Sequence, residues 1–446
     1  MKVIEEVRKE NFKRVTYIAL CFTMILTAYM SAQNLIAQIY KQLGYDHLGQ
    51  MCLFTAYTFL GLTNSVTSHF KSKITIKFGL VAGCIAYVTF ILAGTFTTYC
   101  NKYTSGTGLC STTFIYLLNI LSCAFCGFGA AFLWICQAIY VDSCCDDKTR
   151  GSYNGTFWSI MQSSLLISSG LATFVLGNTD QFTYYIVLSL FGIVAITLFS
   201  FVKPSVPYPQ KAEQTQTAIA SNETLKEALQ RFFTTLRNTK YYFLFISMFV
   251  SGITIGFFAN FLSTTVGKTL NTTDVNELNQ SLGYALTALA FGEILAGLTL
   301  GRLADKHNHV NLLNATIVVS ELALMVTLLA FIFQSFKFAV LCGFLWGFGD
   351  TAIQTMMNAV IGSMFGGNVE LFSAYRFIQS FGVMFASILA IFTSTHAPLF
   401  YLACLAAALT FLHALFFQYM GKIQPKTSKE QLLADEKKFM IEMKNI

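Results

Sequence analysis

The sequence predicts an all-α membrane protein with twelve transmembrane helices in two pseudo-symmetric six-helix halves. Three observations carry that prediction. Of the 446 residues, 54% are hydrophobic and only 11% are charged, a balance too apolar for an ordinary soluble enzyme. Twelve apolar segments approach the roughly 20 residues a helix needs to span a bilayer. They fall near 14–39, 49–70, 78–99, 112–141, 153–177, 182–202, 241–267, 281–302, 311–333, 337–363, 370–394 and 397–420. Short motifs also recur between the two halves of the chain. Gly127-Phe-Gly-Ala130 matches Gly347-Phe-Gly-Asp350 at an offset of 220, Gln162-Ser163 matches Gln379-Ser380 at 217, and Leu48-Gly49 echoes Leu282-Gly283. Such spacing implies parallel copies of one unit, 15–202 and 241–420, divided by the polar segment 203–240. Apolar runs this long argue against a β-barrel, whose strands alternate over about 10 residues.

Basic residues set the expected orientation. With residues 1–14 in the cytosol, 24 of the 29 Lys and Arg fall on the cytosolic side, including those of 203–240 and of the tail 421–446. Lys41, Lys102, Lys268 and Lys337 lie outside, and Arg376 alone stays within a span. This is a positive-inside signal. The net charge of +7 therefore reflects topology, with attraction to anionic lipid as a corollary. It is scattered over short loops and does not point to nucleic acid. The charged start runs straight into the first span, so a signal anchor is expected instead of a cleaved signal peptide. Plasma membrane and endomembrane both stay open.

Along the first helix, Thr23, Thr27, Asn34 and Gln38 repeat at helical spacing and predict a polar face turned to a central space. The second helix ends in the basic turn HFKSKITIKFG, and the aliphatic third suits a lipid-facing position. In the outer loop that follows, Cys100 and Cys110 are candidates for a disulfide. Most other cysteines lie within helices, where a free thiol acts as a small hydrophobe. Cys123 and Cys126 have no second Cys or His pair to make a zinc site. Cys144-Cys145, on the inner side, reads as two inert thiols or as an acylation site. The linker carries Pro204, Pro207 and Pro209, then cap-type Ser221 and Asn222. Leu225, Ala228, Leu229, Phe232, Phe233 and Leu236 on one helical face predict an amphipathic helix lying on the inner membrane surface. Asn271-Thr-Thr is a glycosylation sequon in an outer loop. Ser428 with Gln431 marks a capped helix in the cytosolic tail.

The eighth helix places Glu293 near mid-membrane and ends in Gly301-Arg302-Leu303-Ala304-Asp305-Lys306. Glycine there permits close packing, and Asp305 with its basic neighbours can clamp adjoining helix ends. The pattern resembles the inner-loop signature of the major facilitator superfamily. On the next two motif-bearing helices, Asp350, Gln354 and Asn358 share one face, as do Ser373, Arg376, Gln379 and Ser380. Asp350 and Arg376 fall at similar depth on antiparallel helices and can meet. Charge at membrane depth costs several kcal/mol or more, so the pair needs a partner or an aqueous cavity. The equivalent positions in the first half are Ala130 and Ser159, so the charges belong to the second half alone.

Two readings follow from those residues. Asn34, Gln162, Glu293, Asp350, Gln354, Arg376 and Gln379 converge on a solute site, where a carboxylate carries a proton and Arg376 holds an anionic group. Alternatively, Asp350 and Arg376 pair as architecture. Trp134, Phe157, Trp158 and Trp346 either line that cavity or pack. Glu321 and His413, expected in the outer ring, read as packing residues, with His413 finding a local hydrogen bond. No HExxH, phosphate-binding glycine loop or Ser-His-Asp set is present, so neither an enzyme nor a metal or cofactor is expected. No filter motif supports a pore. The five prolines lie outside helix interiors, which disfavours the proline-bearing glycine motif of drug–proton antiporters and leaves bending to glycines.

GFGAAFLWICQAIY followed by NGTFWSIMQSS, together with GFGDTAIQT and YRFIQS, resembles the Unc-ninety-three family of the major facilitator superfamily. Ala138 stands where many relatives have glycine, and Arg376 where lysine is common. The resemblance implies the superfamily fold and two kinds of role. One is transport of a small solute or proton. The other is non-transporting regulation of a potassium channel or escort of a membrane receptor.

Overall fold

The computed structural model describes residues 2–45, 47–70, 74–104, 107–171, 174–175, 178–208, 224–270, 275–393 and 397–420, and their regular structure is entirely helical. The sequon at Asn271, the cap residues Ser221 and Asn222, and the tail 421–446 lie outside the described residues. The first half holds α1 (Lys2–Gln42), α2 (Leu48–Asn64), the single turn α3 (Thr67–Phe70), α4 (Ile76–Tyr103), α5 (Thr112–Cys144), α6 (Arg150–Leu171) and α7 (Gln181–Ser200). The linker contains α8 (Leu225–Arg237). Then come α9 (Tyr242–Asn260), α10 (Leu262–Leu270), α11 (Val275–Ala304), α12 (His309–Phe333), α13 (Phe336–Met364), α14 (Val369–Thr393) and α15 (Pro398–Met420).

Among the described residues, setting aside the short α3, α8 and α10, twelve long helices correspond to the twelve apolar segments. Ten are long and apolar enough by themselves to cross a membrane. The other two are α2, with 17 residues, and α6, which buries Asn154, Ser159, Gln162, Ser164 and Ser168. Each turns one buried face that carries its polar residues into the bundle, where a polar stripe is tolerated. Two segments break sooner than the hydropathy suggests. In 49–70, Asn64 Nδ2 donates to Leu60 O at 2.6 Å and Ser65 Oγ to Leu62 O at 2.7 Å, so polar side chains compete for the last helical carbonyls. In 241–267 the helix stops at Asn260 and α10 restarts after Phe261.

Buried apolar side chains form two cores. One draws only on residues between Val15 and Val202. The other spans Phe243 to Phe416 and recruits Ile135, Ala138 and Leu165 from the first half. The repeated Gly-Phe-Gly motif has one physical role in both. A Cβ on Gly127 would strike the α2 backbone at Ala56 O, and one on Gly347 would strike the α11 backbone at Leu289 O. Glycine therefore lets the fourth long helix of each half press onto the second.

The linker helix departs from expectation. Thr224 caps it, with Glu227 completing a capping box. Ala228 and Phe232 are buried. The Phe232 ring meets Phe377 of α14 edge-on at 5.3 Å, and Arg231 pairs with Glu370 at 3.1 Å. Only Leu225 and Phe233 keep large apolar faces exposed, so α8 docks on the bundle with half of its apolar face. Cys144 and Cys145 are fully buried, which removes the acylation reading.

Cys100 and Cys110 form a disulfide with Cα atoms 5.3 Å apart, tying the end of α4 to the turn that precedes α5. Its ten-residue separation predicts that Cys100→Ser lowers stability by roughly 2–3 kcal/mol through restored loop entropy. Denaturant melts with and without reductant check this, and reductant must leave the variant unchanged. Nearby, Asp180 caps α7 through Thr183 N at 2.9 Å and accepts from Lys102 Nζ at 2.7 Å. The Lys102 ammonium first, then the Thr183 amide, draws its carboxyl from an ordinary 3.8 to about 2. A folded-state value below the unfolded one means that this stabilisation is present above about pH 4. It is lost as the pH falls through about 2. Asp180→Asn is therefore expected to lower the Tm slightly at neutral pH, with the difference from wild type vanishing in acid.

Candidate functional site

Four helices of the second half and five of the first enclose a cavity of about 90 Å³, room for roughly six waters at about 15 Å³ each. The first half supplies Tyr29 and Gln33 from α1, Tyr57 from α2, Tyr87 from α4, Trp134 from α5, and Trp158 and Gln162 from α6. The second half supplies Phe258 from α9, Glu293 from α11, Asp350 and Gln354 from α13, and Arg376 and Gln379 from α14. Repeat-equivalent positions line it together, Ala130 with Asp350 and Gln162 with Gln379. The first half presents aromatic rings and amides, and the second presents the charges.

Asp350 and Arg376 do not pair directly. Gln354 stands between them, one turn along α13 from Asp350, donating from Nε2 to Asp350 Oδ2 at 2.9 Å and accepting from Arg376 NH1 at 3.2 Å on Oε1. The same NH1 donates to Gln379 Oε1 at 2.7 Å, and Gln379 Nε2 donates to Ser251 Oγ of α9 at 2.8 Å. The result is a relay across three helices. The guanidinium also lies 4.6 Å from the Trp134 ring, 4.7 Å from Tyr375 and 5.7 Å from Trp158, so aromatic faces replace the water it has lost. Trp134 is itself oriented by donation to Tyr87 Oη at 3.0 Å.

The relay leaves polar atoms unused. Among the described residues, Asp350 Oδ1, Glu293 Oε2 and Arg376 NH2 are buried with no hydrogen-bond partner, and the three residues are only 1%, 2% and 5% exposed. An orphaned buried polar atom costs about 1–3 kcal/mol, more when charged. A closed structural pair would not leave three.

Of the residues expected at the site, Gln162, Glu293, Asp350, Gln354, Arg376 and Gln379 are brought together there. Asn34 is not. Its neighbour Gln33 lines the cavity instead, because α1 is rotated so that Tyr29 and Gln33 share the inward edge. Trp134 and Trp158 line the site, stacked 5.8 Å apart. Phe157 packs on Phe22 in the first core, and Trp346 stacks on Phe257 at 4.2 Å in the second. Tyr29, Tyr57 and Tyr87 were not singled out from sequence; Tyr87 sits in a helix whose aliphatic run suggested a lipid-facing position. Asn358 shares the Asp350 face but is buried outside the cavity.

The two halves touch most closely beside the cavity, toward the end that carries the basic turns. Asp305 accepts from the backbone N–H groups of Gly151 and Ser152 at 2.6 and 2.8 Å and from the Ser152 hydroxyl. It thus caps the N-terminus of α6, where the helix dipole favours an anion. The clamp uses Asp305 alone on backbone donors, while Arg302 and Lys306 point to the exterior. Gly301 and Gly155 pack backbone to backbone, and Ser159 Oγ donates to Ile294 O at 3.0 Å. Thr67 and Ser373 add a hydroxyl pair at 2.9 Å. On the outer ring, His413 joins Glu321 and Asn314 at 2.9 Å each.

Two helical halves around a buried cavity that holds a few charged and amide groups define a multi-pass membrane protein of the major facilitator superfamily fold. The structure is similar to the proton:xylose symporter XylE bound to 6-bromo-6-deoxy-D-glucose, with a TM-score of 0.66 at 12% identity over 94% of this chain and 97% of that one. It also resembles a bacterial homologue of the iron transporter ferroportin, with a TM-score of 0.62 at 12% identity over 91% and 99%. Within that fold the chain belongs to the UNC-93 family, whose sequence model, described as ion channel regulatory protein UNC-93, matches residues 36–418. Relatives include UNC93-like protein MFSD11 of Xenopus laevis, 22% identical over 80% of this chain and 85% of that protein. Protein unc-93 homolog A of Bos taurus is 26% identical over 84% and 86%.

Proposed function

We propose that this protein moves a small polar solute across a membrane by alternating access about the central cavity, with the basic end and both termini in the cytosol. The observation that carries this reading is the set of three buried, unpartnered polar atoms on Glu293, Asp350 and Arg376 facing one cavity between the halves. Cavities at repeat interfaces hold substrate while one half rocks against the other. The Asp305 cap and the α6–α11 glycine seam are the contacts that part when the cytosolic side opens. Melting the purified protein against a library of metabolites and ions tests the proposal. A bound solute must raise the Tm by mass action, and Asp350→Asn and Arg376→Gln, still folded, must lose that rise. If no solute stabilises the wild type and the two variants merely melt early, the transport reading fails.

A second reading, a regulatory subunit for a channel or receptor, is favoured by the outer cluster of His413, Glu321 and Asn314. The Glu321 side chain is 31% exposed near the middle of α12, in a groove against α15 lined by Leu324, Leu328, Leu409 and Phe417. A carboxylate facing lipid at that depth is costly, and a neighbouring transmembrane helix would cover it. Under this reading Glu321→Leu abolishes association with the partner while Asp350→Asn leaves it intact.

A further inference from the structure

Resting on the transport reading of the central cavity, we propose that its solute is a small primary-amine zwitterion of the amino-acid class. The unused atoms define the complement that a ligand must bring. Arg376 NH2 is a cationic donor without an acceptor, while Asp350 Oδ1 and Glu293 Oε2 are acceptors without a donor. A simple anion would serve Arg376 but add negative charge beside two carboxyl groups. A simple cation would serve the acids and leave the guanidinium N–H buried and unpaired. A molecule with an anionic group at one end and an ammonium at the other satisfies all three atoms at once.

The walls narrow the class further. Acceptor oxygens need N–H donors, which a primary ammonium has and a quaternary one lacks. Tyr29, Tyr57 and Tyr87 line the cavity from the first half and give the ligand an aromatic wall. Gln33 and Gln162, from the same half, are amides able to donate to a carboxylate or accept from an amine. A volume of about 90 Å³ admits only a short molecule. Because the charged groups sit on one half and the rings on the other, such a ligand contacts both halves together. That is the requirement for coupling its binding to their movement.

The test is a melt of the purified full-length protein with glycine, L-alanine, L-serine, 4-aminobutyrate and taurine. Propionate, ethylammonium, their equimolar mixture and glycine betaine serve as comparisons at matched millimolar concentration. At least one of the five amino acids is expected to raise the Tm by about 2 °C or more, with the comparisons giving less than a third of that. Arg376→Gln and Glu293→Gln are each expected to weaken the apparent affinity at least tenfold, and the wild-type comparisons stand even if a variant fails to fold. The proposal is overturned if propionate, ethylammonium, their mixture or betaine matches the amino acids, or if none of the five stabilises. In the latter case, stabilisation by another solute class that Asp350→Asn abolishes would leave the transport reading standing. No stabilising solute of any class would remove both.

Discussion

Arg376→Ala is expected to destabilise the folded protein by about 3–5 kcal/mol, the cost of removing one member of a buried charged network. Its NH1 holds the amide oxygens of both Gln354 and Gln379, so truncation strands two amide oxygens and removes the cation that Gln354 links to Asp350. The ring faces of Trp134 and Tyr375, 4.6 and 4.7 Å from the guanidinium, lose their cation as well. Arg376→Lys keeps the charge but not the planar fork, and an intermediate loss is expected. Combining Arg376→Gln with Asp350→Asn should show a coupling of about 0.5–3 kcal/mol carried through Gln354. Denaturant melts of the four proteins measure it. Additive losses would mean that the relay is geometry without energetic consequence.

Gly155→Val should disrupt the seam between the two halves. A Cβ at this position would stand 2.7 Å from Gly301 Cα and closer still to Gly297 O. Backbone cannot yield as a flexible side chain does, so α6 and α11 must separate. Overpacking of this kind costs about 1–3 kcal/mol, and here it also wedges open the seam that Asp305 fastens through Gly151 and Ser152. A cysteine introduced at Ser152 should be alkylated by a maleimide faster in the Gly155→Val background than in the otherwise native one. Unchanged alkylation and an unchanged melt would show that the two helices do not approach as closely as described.

Both predictions concern features that the sequence displays only in part. The Gly-Phe-Gly repeats are legible because a glycine in an apolar helix marks a close backbone approach, and Ala56 and Leu289 turn out to be the approached residues. Five of the cavity's polar groups were legible because Gln162, Glu293, Asp350, Gln354 and Gln379 interrupt greasy segments, where polar groups need an interior to face; Arg376 stood out for the same reason. Asn34 was misplaced by one residue. Successive positions on a helix differ by about 100°, so choosing Asn34 over Gln33 turns the wrong edge of α1 to the cavity. The tyrosines were missed because an aromatic in a membrane helix gives no sign of whether it meets lipid, core or cavity.

By itself the sequence determined the class of protein: the spans, their number and the two-fold repeat, and the concentration of buried charge in the second half. These are properties of composition and periodicity, read along one dimension. The tertiary structure decided how those groups are wired. It placed Gln354 between Asp350 and Arg376, turned Asp305 onto the backbone of another half, and docked Phe232 of the linker helix against Phe377. Each depends on the rotation and separation of helices distant in sequence. Those are set by the packing of many side chains together, and no local pattern encodes them.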